Sequence, residues 1–258
     1  MPILKIGDIS DPRIAPFREL RDKNLAAREN LFIAEGEHLV RRLLESDFET
    51  HAVLVQDSRL HAFAQRNETI YVAPADLIEQ IVGFKFHRGV LALGIRRPLL
   101  SIDQLLVNAK KNDRLLILPE INDVENLGGL LRTAAALGFG DILLGPSCCD
   151  AFARRAIRTS AGSVFKLNLA QSTDLIHDLA RLKNEHGYKL YGATTGASPS
   201  LPGTASRLGL LFGTEADGLS KELLAQCDDH ITIAMSLGVD SLNVVVAAGI
   251  ILNHYRPE

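Results

Sequence analysis

Short runs of leucine and β-branched residues recur along the chain, separated by stretches in which apolar residues fall three or four apart. The first pattern suits strands buried on both faces, and the second suits helices that bury one face. In the first hundred residues "NLFIAEG", "HAVLVQ", "ETIYVA" and "GVLALGIRR" read as strands, while "EHLVRRLLES", "DSRLHAFAQR" and "PADLIEQIVG" carry helical period. An earlier segment, "DPRIAPFRELRDKNLAARENL", has helical spacing after Pro12 and Pro16 and the many charges of a solvated helix. Together these predict a small α/β unit.

Around "RRPLLSIDQLLVNAKKNDR" the pattern weakens, because Pro98 ends the preceding strand and a polar "KKND" precedes the next one. The expected organisation is an N-terminal domain over residues 1–97, a linker over 98–112 and a second domain over 113–258. The second domain alternates more strictly. Strands "RLLILPEI", "GDILLG", "FKLNLA", "YKLYGAT", "LGLLFG" and "HITIAM" are interleaved with helices "NLGGLLRTAAALG", "AFARRAIRTS", "TDLIHDLARLKNEHG" and "SKELLAQ", before a final apolar run. Such an order predicts a mainly parallel sheet covered on both faces. Ligand sites in these sheets lie beyond the carboxyl ends of the strands.

Composition narrows the class. With 258 residues, 47% of them hydrophobic, the chain can build two cores of ordinary size. Its apolar stretches are too short or too interrupted to span a bilayer, and "MPILKIGDISDPR" lacks the apolar centre and cleavage pattern of a signal peptide. The expectation is a cytoplasmic protein with no membrane partner. A formal net charge of −3 gives no support to nucleic-acid binding over the whole chain, but "LVRRLL" and "AFARRAIR" are local basic patches. Cys148, Cys149 and Cys227 fit a reducing compartment and read as buried, inert thiols; their spacing predicts no metal site.

Familiar local signatures are absent: there is no GxxxxGK[ST], HExxH or GxSxG, and "LGGLLRTAAALGFG" does not satisfy GxGxxG. Three segments that follow strands stand out instead. In "NDVENLGGLLRTAAALGFG" a helix is expected to begin near Asn126, which fits an N-cap. Arg132, six residues on, either snorkels or pairs with an acid, or else uses its planar fork on a phosphate or a developing oxyanion. In "LGLLFGTEADGLS" an apolar strand stops at Gly213, and two glycines bracket Glu215 where a ligand-facing acid is favoured. In "DSLNVVVAAGIILNHY", Ser241 and Asn243 precede an apolar run and read either as helix caps or as site residues.

In this order the three segments resemble the three motifs of the SpoU family of RNA ribose methyltransferases, within the SPOUT superfamily. Asn126, Gly128, Arg132, Thr133 and Ala134 match the first motif; Gly213, Glu215, Gly218, Leu219 and Ser220 match the second; Ile233, Met235, Ser241, Leu242 and Asn243 match the third. "TSAGSVFKLNLA" resembles the family's segment between the first two. Val124 and Ala234 stand where the family has proline. "NLFIAEGEHLVRRLLES" and "KFHRGVLALG" resemble an RNA substrate-binding domain similar in fold to a ribosomal RNA-binding protein. The resemblance implies a C-terminal domain with a parallel sheet and a deep trefoil knot, a homodimer through it, S-adenosyl-L-methionine as cofactor, and RNA, ribosomal before transfer, as substrate. It implies that Gly213, Ile233, Leu242 and Thr194 hold the cofactor. It also implies that Arg132, Asn126, Glu215, Ser241 and Asn243 form the catalytic set. A base-modifying knotted methyltransferase and a non-catalytic RNA-binding or assembly factor on the same fold are the competing readings.

Overall fold

The computed structural model describes residues 3–18, 29–63, 68–83, 85–108, 114–195, 200–214 and 217–257. Its contacts divide the chain into two compact units, Met1–Arg97 with Phe152–Phe165, and Pro98–Ala151 with Lys166–Glu258. Among the described residues no helix is long and apolar enough to cross a membrane.

The first unit holds β1 (Ile3–Lys5), α1 (Ala15–Arg18), β2 (Leu31–Glu35), α2 (Glu37–Leu44), β3 (Thr50–Gln56), β4 (Ile70–Ala73), α3 (Ala75–Val82) and β5 (Val90–Ile95). The strands form one mixed sheet in the order β1-β4-β3-β5-β2, with β5 antiparallel to both β2 and β3. All five residues of β2 are buried, as expected where both faces of a sheet are covered. Alternation sends Leu31 and Ile33 into a core with Phe17, Leu54, Ile78, Ile81 and Leu93. Phe32 faces the other way. Its cross-strand partner is Gly94, where a Cβ would lie 2.2 Å from the Phe32 ring, so only glycine lets the ring lie there. "MPILKIG" contributes the short β1, which the sequence does not announce. "DSRLHAFAQR" forms a 3-10 helix over Asp57–Ala62. Most of the expected N-terminal helix lies outside the described residues.

The second unit begins with α4 (Ile102–Asn108), inside the stretch expected as a linker, where Leu105 is fully buried. It continues with β6 (Arg114–Leu118), α5 (Val124–Ala136) and β7 (Asp141–Leu144). The next helix, α6 (Arg154–Thr159), belongs to the first unit, although the sequence assigns it to the second. The reason is aromatic: Phe152 and Phe165 each stack on Phe32, at 5.4 and 5.5 Å between centroids, and Phe48 closes the cluster. The second unit resumes with β8 (Asn168–Gln171), α7 (Leu175–Asn184), β9 (Lys189–Ala193), β10 (Leu208–Leu211), α8 (Lys221–Gln226), β11 (Asp229–Ile231) and α9 (Val244–His254).

Its six strands run in the order β11-β9-β10-β6-β7-β8 and every pairing is parallel, as expected from the apolar strands between helices. On one face Leu105 of α4 and Leu179 and Leu182 of α7 pack with Leu115, Leu143 and Leu190 of the sheet. Helix α5 buries Leu127, Leu130, Leu131 and Ala134, a single helical stripe. Helices α5 and α9 pack on each other, and a Cβ on Gly129 would sit 2.8 Å from Val245 Cγ2. The glycine therefore sets how closely the two axes approach.

Candidate active site

Strands β9, β10 and β11 are neighbours, so their carboxyl ends lie side by side and release Thr194, Phe212–Gly213 and Thr232–Ile233 at one edge of the sheet. Thr194 N donates to Ile231 O at 2.9 Å and locks two of these ends together. Beyond them lies a cavity of about 330 Å³, within the range of small-molecule sites. The four residues expected to hold a cofactor, Thr194, Gly213, Ile233 and Leu242, all line it, as does Ser241.

Gly213 is fixed by its surroundings. The chain folds back so that Thr214 and Gly218 exchange backbone hydrogen bonds of 3.2 and 3.0 Å. A Cβ on Gly213 would then fall 2.1 Å from the Gly218 carbonyl, a distance no side chain tolerates. Gly218 itself has φ +66°, which favours glycine. Glu215, expected in the catalytic set, lies outside the described residues. Ser220 caps α8, accepting from Leu223 N at 3.2 Å.

Helix α5 starts at Val124, earlier than the sequence suggests. Its cap is Asp123, which accepts from Glu125 N and Asn126 N at 2.8 Å each. Asn126 is therefore not the cap, and its side chain is left for other work. It accepts a hydrogen bond of 3.1 Å from Asn243 Nδ2. Asn243 is the cap of α9, with Oδ1 accepting from Val245 N at 2.9 Å. Ser241 stands two residues before that cap. Arg132 is exposed on α5 and, like Asn126 and Asn243, is not part of the cavity wall. The structure thus brings the expected residues together as two groups: a cavity set, and an Asn126–Asn243 pair on the helices that flank it.

Sequence reasoning missed several contributors. Asp217, Asp240 and Ala247 also line the cavity. The acids stand in "EADG" and "VDSLN", directly beside motif residues, and that adjacency was the available signal. Cys227 has a packing role: its Sγ would lie 3.0 Å from a Cβ on Gly192, and burial pushes its thiol up to about 11. Burial likewise pushes Cys149 up to about 11. These thiols stay protonated at neutral pH and are poor nucleophiles.

A parallel α/β sheet with a cavity at its strand ends, framed by a glycine loop and a capped helix, belongs to the class of folds that bind small molecules at that place. The description "SpoU rRNA Methylase family" matches residues 113–253. An uncharacterised tRNA/rRNA methyltransferase of Mycobacterium tuberculosis is 35% identical, over 97% of this chain and 90% of its own length. A 23S rRNA (guanosine-2′-O-)-methyltransferase, RlmB, of Acinetobacter baylyi is 33% identical, over 84% of this chain and 93% of its own. The fold matches the crystal structure of an AdoMet-bound rRNA methyltransferase from Sinorhizobium meliloti, with a TM-score of 0.82 at 23% identity, over 97% of this chain and 96% of that one. The chain belongs to the SpoU rRNA methylase family. It is an S-adenosylmethionine-dependent RNA methyltransferase.

Proposed function

We propose that this protein methylates the 2′-hydroxyl of a ribose in structured RNA, ribosomal before transfer RNA. The observation that carries the reading is the bond from Asn243 to Asn126. It ties the end of the cavity-lining segment Asp240–Leu242 to the helix that bears Arg132. The relative named as a 23S rRNA guanosine-2′-O-methyltransferase, 33% identical to this chain, supports the ribosomal preference.

The cavity fits the methyl donor in chemistry. Ile233 and Leu242 supply apolar contact for an adenine face, and the missing Cβ at Gly213 lets the Gly218 backbone fold close beside it and shape the cavity wall. When bound, S-adenosylmethionine supplies an activated methyl group. What remains for the protein is to orient the ribose and stabilise charge on its 2′-oxygen. A guanidinium stays protonated in proteins, so Arg132 grips an RNA phosphate and stabilises the forming alkoxide, while the proton leaves to that phosphate or to water. Asn126, Ser241 and Asn243 position Arg132 and the ribose, and by family resemblance Glu215 joins them.

The same reading includes a trefoil knot, a homodimer and an RNA-binding first domain similar to a ribosomal protein. For the knot, support comes from the lacing of the chain after β11 to the segment before β10. Tyr255 Oη donates to Pro202 O at 2.6 Å, and Arg114 donates to Tyr255 O at 2.9 Å and to Ala205 O at 3.0 Å. For the dimer, it comes from Val246 and Ile250, apolar residues of α9 that are 51% and 44% exposed.

The deciding experiment pairs calorimetry for cofactor affinity with transfer of a tritiated methyl group to RNA, followed by digestion to nucleosides and mass spectrometry. Arg132→Ala is expected to lower turnover by about 100-fold or more with cofactor affinity nearly unchanged. Retained turnover would remove Arg132 from its role, and a label on the base would replace ribose by base methylation.

A further inference from the structure

At one end of the first unit's sheet, where β2 and β3 end and β5 begins, lies a cavity of about 360 Å³ lined by Arg59, Arg88 and Arg158 with Glu35, Glu37 and His38. The methyl-transfer reading makes no use of it. Around it three glycines with left-handed φ each form the bed of an arginine. A Cβ on Gly36 (φ +93°) would lie 3.2 Å from Arg88 Cδ, one on Gly89 (φ +70°) 2.5 Å from Arg59 Cδ and Nε, and one on Gly162 (φ +75°) 3.2 Å from Arg42 Cδ. The left-handed backbone favours glycine at all three positions, and at Gly89 a Cβ would also displace the Arg59 side chain.

Carboxylates hold several of these arginines in place. The Glu35 side chain is only 10% exposed; it accepts from Arg154 Nε at 2.7 Å and lies 3.5 Å from Arg88 Nε. Glu37 accepts from Arg41 at 2.9 Å and faces Arg59 at 3.7 Å. Arg42 donates to the Ala161 carbonyl. Glu35 thus serves Arg88 and Arg154, and Glu37 serves Arg41 and Arg59. Each guanidinium has five N–H donors, and the side chains of Arg59 and Arg88 are 43% and 45% exposed. In a protein of net charge −3, this is a local cationic concavity whose side chains are ordered in advance.

We infer that this cavity grips the backbone phosphates of the RNA substrate, with Glu35 as the residue that orients Arg88 and Arg154. The inference rests on the RNA reading above. A guanidinium fork matches a phosphate in bidentate fashion, and several forks around one concavity suit a polyanion with regularly spaced phosphates. Pre-ordering the forks lowers the entropy lost on binding.

The test uses the full chain and a fluorescein-labelled RNA hairpin titrated across salt concentrations. Arg59→Gln with Arg88→Gln is expected to lower the slope of log affinity against log salt by about 1.5 and to weaken low-salt binding about tenfold. Arg59→Lys with Arg88→Lys keeps the slope, and cofactor affinity by calorimetry is unchanged in both. Arg158→Gln serves in their place should the double variant melt early. A slope equal to that of the wild type overturns the inference and leaves the RNA reading standing. A wild type that shows no salt-dependent hairpin binding overturns both. Tighter binding of polyglutamate than of the hairpin at equal salt reassigns the cavity to an acidic protein and overturns the RNA assignment.

Discussion

Asn243 uses both ends of its amide, Oδ1 to start α9 and Nδ2 to hold Asn126. The two jobs can be separated. Serine is as good a cap as asparagine but too short to reach Asn126, so Asn243→Ser is expected to leave the melting temperature within about 2 °C while lowering methyl transfer about tenfold or more. A parallel thermal melt and turnover assay reads both, and equal losses of stability and activity would reduce Asn243 to a cap. The sequence named Asn243 but offered it either as a cap or as a site residue, whereas the structure shows that it caps α9 and also binds Asn126. For Asn126 the sequence misled. Asn122, Asp123 and Asn126 are all capping types within five positions, and the choice among them depends on backbone angles that composition does not carry. Asp123 has the extended φ and ψ of a cap, which frees Asn126 for Asn243.

At the scale of elements, α5 and α9 approach through Gly129 and Val245, with Gly249 opposite Thr133. Gly129→Ala would gain helix propensity of about 0.5–1 kcal/mol. However, its methyl group meets a β-branched side chain with little rotamer freedom, and overpacking costs about 1–3 kcal/mol. The net expectation is destabilisation by about 1 kcal/mol in denaturant unfolding, partly recovered when Val245→Ala is added; simple additivity of the two would refute the contact. Most strands were legible because their apolar runs are continuous, a pattern that burial on both faces imposes. Helix α4 was not, since its polar neighbours "KKND" and Pro98 outweighed the buried Ile102 and Leu105. The assignment of α6 failed for a different reason. The stacking of Phe152 and Phe165 on Phe32 joins residues more than a hundred positions apart, and no local pattern encodes that.

For the whole molecule, alkaline pH should act through the buried thiols. An unfolded cysteine loses its proton near pH 8.5, whereas folded Cys227 and Cys149 do so at about 11. The folded state thus binds more protons between these values, and the stability that the neutral thiols support is complete below about pH 8.5 and lost as pH rises toward 11. Melting temperatures across that window should fall, and Cys227→Ala should flatten the fall; an unchanged slope would place the effect elsewhere. Assembly is the second test at this scale. If α9 pairs with its copy, Val246→Asp with Ile250→Asp should convert a sedimenting dimer into a monomer, because the apolar patch that drives association becomes charged. A wild type that sediments as a monomer would remove the dimer from the reading.

The cavity wall also sets an order of events. Val244, Ala247 and Ile251, three of its lining residues, lie in α9, and a ribosome adds them after every strand of the six-stranded sheet has been made. A nascent chain can therefore own a complete sheet and still lack a place for the cofactor. Synthesis itself postpones competence, and methyl transfer by this protein belongs to chains whose translation has passed the last helix.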